Sequence, residues 1–97
     1  MTVRFNKVAR NELAAQIAYI AAVNPIAATR LVAEVRSTLT RIDTGIVEGS
    51  EVVLAKSGRR LRRWPVPPLV LYYRRMADAI RVVRVRHGAQ RPIAQSV

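Results

Sequence analysis

Several chemistries are excluded by what the sequence has little of. It contains no cysteine and a single histidine, His87, so disulfides, thiolate chemistry and the usual cysteine- and histidine-rich zinc sites are ruled out. The longest apolar run, Ile17 to Val23, is far shorter than the ~20 residues that span a bilayer. No apolar signal-peptide segment follows the first few residues. We therefore expect a small cytoplasmic protein with no membrane contact, no metal and no cofactor.

Acidic residues are also scarce, and their distribution divides the chain. Six Asp and Glu stand against seventeen Lys and Arg, a net charge of +11, and fifteen of these bases are arginine. Residues 1–51 are nearly neutral, whereas residues 52–97 hold eleven bases and one acid, Asp78. Arginine binds carboxylates and phosphates through a planar fork. The C-terminal half is therefore predicted to face an anionic partner, either nucleic acid or an acidic protein segment, unless its arginines only solubilise the surface.

The first half of the chain has the pattern of one strand and two helices. Thr2 to Asn6 alternates and predicts a strand, whose last residue can cap a helix from about Val8 to Val23. Asn24-Pro25 suits the start of a second helix, which ends near Ile42 and is followed by Gly45 as a left-handed cap. Because almost no loop separates the two helices, we expect an antiparallel helical hairpin.

The second half changes to strand periodicity. Val52–Leu54 is predicted to be a strand or the entry to one. Three strands are predicted over Arg59–Trp64, Leu69–Arg74 and Ile80–His87, and the prolines after Trp64 predict a bend or an edge position. The order β-α-α-β-β-β predicts an α+β fold in which the helical hairpin packs on one face of a small, mainly antiparallel sheet. Residues 1–97 are expected to form a single domain, with a polar C-terminal tail over 88–97.

The apolar stripes predict which side chains are buried between the helical hairpin and the sheet. The predicted core residues are Leu13, Ile17, Ile20, Val32, Val35, Leu39, Leu71, Val83 and Val85. Tyr72 and Tyr73 point to opposite faces of a strand, so one is expected in the core and the other exposed. Trp64 is interpreted as a core residue or a partner contact rather than a platform for a nucleic-acid base. The helical acids, Glu12 among them, are expected to be solvated.

Four segments, taken in order, carry a resemblance that spans nearly the whole chain. An opening strand runs into an alanine-rich helix, and a helix break follows at Asn24-Pro25-Ile26-Ala27-Ala28. Gly58-Arg59-Arg60-Leu61 precedes Tyr72-Tyr73-Arg74, and the last strand runs from Ile80 to His87-Gly88. This ordered set resembles the RelE/ParE superfamily of bacterial toxins from type II toxin–antitoxin systems.

Two functions are open under this resemblance. The ending His87-Gly88-Ala89-Gln90-Arg91-Pro92 is more similar to the ParE branch, which implies a toxin that inhibits growth by binding DNA gyrase and is neutralised by a cognate antitoxin. The alternative is the RelE branch of ribosome-dependent mRNA endonucleases. Pro68-Leu69 stands where those nucleases tend to place an arginine, and their C-terminal tyrosine is missing. We therefore favour a non-enzymatic inhibitor over an endoribonuclease.

Each function has its own candidate residues. RNA cleavage needs cations at the transition state and a group that moves protons, and the candidates are Arg60, Arg74, Arg81, Arg84 and His87. Strand alternation places His87 on the apolar side with Val83 and Val85, which favours a structural histidine. The resemblance implies an antitoxin whose C-terminal segment folds onto the toxin, and charge predicts that this segment is acidic. Its carboxylates are expected to meet Arg59, Arg60, Arg62, Arg63, Arg74, Arg81, Arg84 and Arg86.

Overall fold

The chain folds into two helices and a five-stranded sheet, in a computed structural model that describes residues 2–54 and 57–88. The elements are β1 (Thr2–Phe5), α1 (Lys7–Val23), α2 (Pro25–Asp43), β2 (Ser50–Val53), β3 (Arg60–Val66), β4 (Leu69–Arg75) and β5 (Ala79–His87). This order confirms the predicted α+β fold. The tail predicted beyond Gly88 lies outside the described residues.

Both helices begin at the predicted asparagines. The side-chain oxygen of Asn6 accepts a hydrogen bond from the Ala9 N–H at 2.8 Å, and that of Asn24 accepts one from the Ala27 N–H at 3.1 Å. Each bond satisfies one of the backbone donors that the first helical turn leaves without a partner. Gly45 follows α2 with a φ of 81°, which glycine adopts without steric cost. The two helices therefore pack as the expected hairpin.

The sheet has the strand order β1-β5-β4-β3-β2. β1 runs parallel to β5, and every other neighbouring pair is antiparallel. β3 continues two residues past Trp64, through Pro65 to Val66. Because β2 pairs only with residues 60–63 of β3, Pro65 lies where that side of the strand is an edge and no partner needs its missing N–H. The predicted edge position is confirmed.

The main core lies between the helical hairpin and one face of the sheet. Of the predicted residues, Val35, Leu39, Leu71 and Val85 are buried there, and Leu13, Ile17 and Ile20 pack against them half-buried. Val32 is half-buried but is not part of the main core, because α2 turns Leu31 inward instead. α2 buries the set Ala28, Leu31, Val35, Thr38, Leu39 and Ile42.

A second cluster covers part of the opposite face of the sheet, which we call the open face. It consists of Val52, Leu61, Val70 and Tyr72, with Leu54 and Val83 packed against them. The cluster explains two wrong predictions. Tyr72 and Tyr73 are both buried, at 2% and 0% exposure, because each face of the sheet has its own apolar cluster. Val83 lies on the open face because a β-bulge in β5 shifts the register between Tyr72 and Tyr73.

Candidate functional site

Three arginines form a row across the open face, which we call the arginine row. Arg81 on β5 is the direct partner of Arg4 on β1 and of Arg74 on β4. Val3 and Phe5 pack on the main core, so alternation turns Arg4 to the open face. Among the described residues, no carboxylate lies within ion-pair distance of the arginine row. Like charges directly opposite on neighbouring strands are destabilising, so this row concentrates uncompensated positive charge.

Arg10 adds a fourth cation beside the arginine row. It comes from the first turns of α1 and, together with Arg4 and Arg81, lines a shallow depression at the edge formed by β1. The sequence did not predict Arg4 or Arg10 as site residues, because the N-terminal half of the chain has almost no net charge. The alternation of Val3 and Phe5 around Arg4 does indicate that Arg4 lies on the face of the sheet opposite to these apolar residues.

Arg84, in contrast, is held by a carboxylate of its own chain. Its Nε and Nη2 atoms donate to the two Glu12 oxygens at 3.0 and 2.8 Å, and the Val85 N–H donates to Glu12 Oε1 at 2.9 Å. Burial alone would raise the pKa of the Glu12 carboxyl, but these hydrogen bonds outweigh burial and keep it below its ordinary value. The bond to Glu12 raises the pKa of Arg84. The prediction of a solvated Glu12 is therefore wrong.

A second polar network joins the segment after α2 to the sheet. The Tyr73 hydroxyl donates to Glu48 Oε1 at 2.7 Å and accepts from the Gly49 N–H at 2.6 Å. Arg75 donates to the same carboxylate oxygen at 3.3 Å, and Arg62 donates to the Gly49 carbonyl at 2.8 Å. Burial, supported by the bond to Glu48, raises the pKa of Tyr73 to about 12. Burial would raise the pKa of Glu48, but its hydrogen bonds lower it overall.

The remaining predicted arginines divide by their surroundings. Arg60 donates to Glu51 at 2.9 Å in an exposed ion pair. Arg59 is exposed beside the second cluster. Arg63 and Arg86 are half-buried and are the direct partners of Tyr72 and Val70, so they lie on the open face. Of the eight predicted contacts, Arg60, Arg62, Arg84 and Arg86 thus interact with other groups of the protein.

His87 does not join the candidate catalytic arginines. It is the direct partner of Leu69 at the end of β5, and Leu69 belongs to the main core. Directly opposite residues share a face, so His87 lies on the helical side of the sheet, as alternation predicted. Arg74 and Arg81 lie on the other side. The structure therefore does not bring the histidine and these two cations to one site.

The aromatic side chains offer no exposed platform on the open face of the described chain. Tyr72 is the aromatic residue of the second cluster and is 2% exposed. Trp64 is half-buried against the main core, which agrees with its interpretation as a packing residue. Base stacking needs an accessible ring face, so neither residue provides it.

Exposed apolar side chains lie on the helical hairpin and also outside it, at Ile46 after α2 and at Met76 between β4 and β5. Tyr19, Val23 and Ile26 are 75%, 81% and 67% exposed. Ile26 also borders a groove between the hairpin and the turn at Pro67 and Pro68. Exposed apolar side chains that form a contiguous patch mark protein–protein contact sites.

Two features are absent from residues 2–54 and 57–88, the part of the chain that the structure describes. No group of three or more His, Cys, Asp or Glu side chains is arranged to hold a metal ion there. No helix in this part of the chain is long and apolar enough to cross a membrane.

Comparison with known proteins gives one family and one fold. The family model described as ParE toxin of type II toxin-antitoxin system, parDE, matches residues 3–92. A solved chain described as "Chromosomal ParDE TA system from P. aeruginosa" is similar at 14% identity with a TM-score of 0.66, over 90% of this chain and 95% of that chain. No curated protein matches the sequence.

Proposed function

Because the chain belongs to the ParE toxin family of type II toxin–antitoxin systems, we propose that it inhibits bacterial growth by binding DNA gyrase in the cytoplasm. One observation favours a binding mechanism over RNA cleavage. His87 lies on the opposite face of the sheet from Arg74 and Arg81. An RNA-cleaving site needs its proton-transfer group and its cations around one scissile phosphate. The ribosome-dependent endonuclease stays the alternative.

Paired assays with the purified chain distinguish these functions. We expect the wild-type protein to inhibit supercoiling by purified gyrase and to leave mRNA intact in a translation reaction. We expect His87→Ala to inhibit gyrase as strongly as the wild type, because the histidine has no catalytic task in this proposal. A normally folded His87→Ala protein that loses both growth inhibition and a measurable mRNA cleavage activity would establish the nuclease instead.

We further propose that a cognate antitoxin neutralises the toxin in a hetero-oligomer. Its apolar side chains would cover Tyr19, Val23 and Ile26, which are exposed on the helical hairpin. Its carboxylates would meet arginines of the predicted set. We propose Arg59 and Arg63 for this contact, because they lie at the β3 side of the open face, apart from the arginine row, and no described carboxylate pairs with them. Acidic segments associate with such a surface rapidly and in a salt-dependent way.

Charge reversal tests the antitoxin contact. The binding partner is the small acidic protein expected from the neighbouring reading frame. We expect Arg59→Glu/Arg63→Glu to slow its association and to flatten the dependence of the association rate on salt. Arg36→Glu/Arg41→Glu changes the net charge equally on exposed positions of α2 and serves as the control. An unchanged rate and an unchanged salt slope in the first variant would show that these arginines do not contact the antitoxin.

A further inference from the structure

We propose that the arginine row, together with Arg10, is a nucleic-acid-binding face that holds the phosphodiester backbone. The first argument is electrostatic. Arg81 has a like charge as its direct neighbour on both sides, Arg4 and Arg74. Each such pair is destabilising unless an anion lies between the guanidinium groups. An anion on the open face would remove both repulsions at once.

The distribution of acids strengthens this argument. The described chain places glutamates beside several other arginines, including the Glu12–Arg84 and Glu48–Arg75 pairs. No glutamate of the described chain lies within ion-pair distance of the arginine row. The charge on the row is thus available to an external partner, whereas much of the remaining arginine charge is used to hold the fold together.

The shape of the surface fits a linear polyanion. Neighbouring strands lie about 4.8 Å apart, so the three arginines extend over about 10 Å across the strands. Arg10 continues the positive surface at the β1 edge, where it shares a depression with Arg4 and Arg81. Arginine donates in pairs to phosphate oxygens. Consecutive phosphates of one strand can therefore contact the row and the depression together.

The face favours nucleic acid over an acidic protein segment. A protein segment that folds onto a partner gains much of its affinity from apolar burial, and the exposed apolar residues Tyr19, Val23 and Ile26 lie on the helical side. The acidic segment proposed for the antitoxin would reach the open face only at its β3 side, where Arg63 lies two strands from Arg81. The row itself offers cations. With Tyr72 buried and Trp64 packed on the main core, the open face lacks an accessible described ring for stacking bases. Binding should therefore depend on phosphates and not on base sequence.

Fluorescence anisotropy with labelled oligonucleotides tests the proposal without gyrase or antitoxin, so its result is independent of the proposed function. The probes are duplex DNA, single-stranded DNA and single-stranded RNA of one sequence, each titrated between about 50 and 200 mM salt. We expect binding that weakens steeply with salt. The probe that the protein binds with the highest affinity identifies the kind of nucleic acid.

Paired variants locate the binding surface. Arg4→Ala/Arg81→Ala removes two phosphate contacts, so the slope of log Kd against log salt should fall by about 1.8 for duplex DNA or about 1.4 for a single strand. Arg36→Ala/Arg41→Ala removes the same charge from exposed positions of α2 and should leave the slope unchanged. Thermal melting checks that each variant is folded. Arg81→Lys keeps the charge and should retain most of the slope.

Three results would overturn the proposal. The first is a wild-type protein that binds none of the three probes at low salt. The second is an equal loss of slope in both alanine pairs, which would mean that binding follows net charge and not the arginine row. The third is a protein that binds polyglutamate through Arg4 and Arg81 but no oligonucleotide, which would assign the face to an acidic protein segment. If the alanine pair does not fold, Arg74→Ala alone gives the same test with half the change in slope.

Discussion

Replacing Glu12 should loosen the attachment of α1 to β5. β1 pairs only with residues 79–82 of β5, so the rest of that edge has no strand neighbour among the described residues. Glu12 takes the place of a neighbour there: it accepts the Val85 N–H at 2.9 Å and both Arg84 donors at 3.0 and 2.8 Å. Glu12→Ala removes all three hydrogen bonds, whereas Glu12→Gln keeps an acceptor for the Val85 N–H.

The size of the effect follows from partial burial. Hydrogen bonds to charged groups contribute about 1.5–3 kcal/mol when shielded from water. The side chains of Glu12 and Arg84 are 23% and 33% exposed, so water screens part of this energy. We expect Glu12→Ala to lower the free energy of unfolding by about 2–3 kcal/mol. Glu12→Gln should lower it by about 1 kcal/mol, since only the charge and the paired geometry are lost.

The same contact predicts a pH dependence with a definite sign. The pKa of Glu12 lies below its ordinary value in the folded protein. The ionised carboxylate therefore stabilises the fold above the ordinary pKa of 4.5, and this contribution is lost as the pH falls through the lower folded-state pKa. The stability gap between the wild type and Glu12→Gln should accordingly be full at neutral pH and shrink in that acidic window.

Urea unfolding followed by circular dichroism, at neutral pH and at a series of acidic pH values, measures both effects. Glu34→Gln is the control, because Glu34 is exposed and forms no ion pair with a described residue. Its stability should match that of the wild type at every pH. Equal stability of Glu12→Gln and the wild type at neutral pH, or a gap that does not shrink in acid, would refute the reasoning.

Three further predictions concern packing and buried hydrogen bonds, each measured as a change in urea unfolding. Gly49→Ala should destabilise the fold by about 1–3 kcal/mol, because a Cβ there would overlap the backbone carbonyl oxygen of Arg63; unchanged stability would contradict this close approach. Tyr73→Phe should cost about 1–3 kcal/mol, since the buried Gly49 N–H loses its acceptor; a neutral effect would mean that water replaces the hydroxyl. Leu39→Ala should cost about 2–5 kcal/mol and Val32→Ala less than about 1, and a cost for Val32→Ala as large as that for Leu39→Ala would mean that Val32 belongs to the core, as the sequence predicted.

Local signals were sufficient for most of the fold. The two asparagine caps, the helical stripes and the alternating strands each depend on residues close in sequence, so they could be interpreted without knowing the sheet. The face of each β5 side chain was harder to predict. Val82 and Val83 are both apolar, and a bulge there reverses the alternation, so Val83 was assigned to the wrong core although His87 was assigned correctly.

The candidate site depends on contacts between distant segments, and these were the least predictable. Arg4 joins Arg81 only because β1 inserts parallel to β5. Glu12 reaches Arg84 only because α1 passes the edge of β5 where β1 ends. The local sequence pattern predicts neither the pairing of Arg4 with Arg81 nor the contact of Glu12 with Arg84. The arginines of the second half were therefore treated as one surface, although the structure separates those that hold the fold from those that face outward.

The parallel pairing of β1 with β5 also delays the completion of the sheet during synthesis. Val3 pairs with Ile80, so β1 has no strand partner among the described residues until β5 has left the ribosome. At about 5–20 residues per second, several seconds separate these two events. Until then the sheet lacks β5, which lies between β1 and β4, and Arg4 and Arg81 are not yet together. The five-stranded sheet, and the arginine row with it, therefore forms only after nearly all of the described chain has been translated.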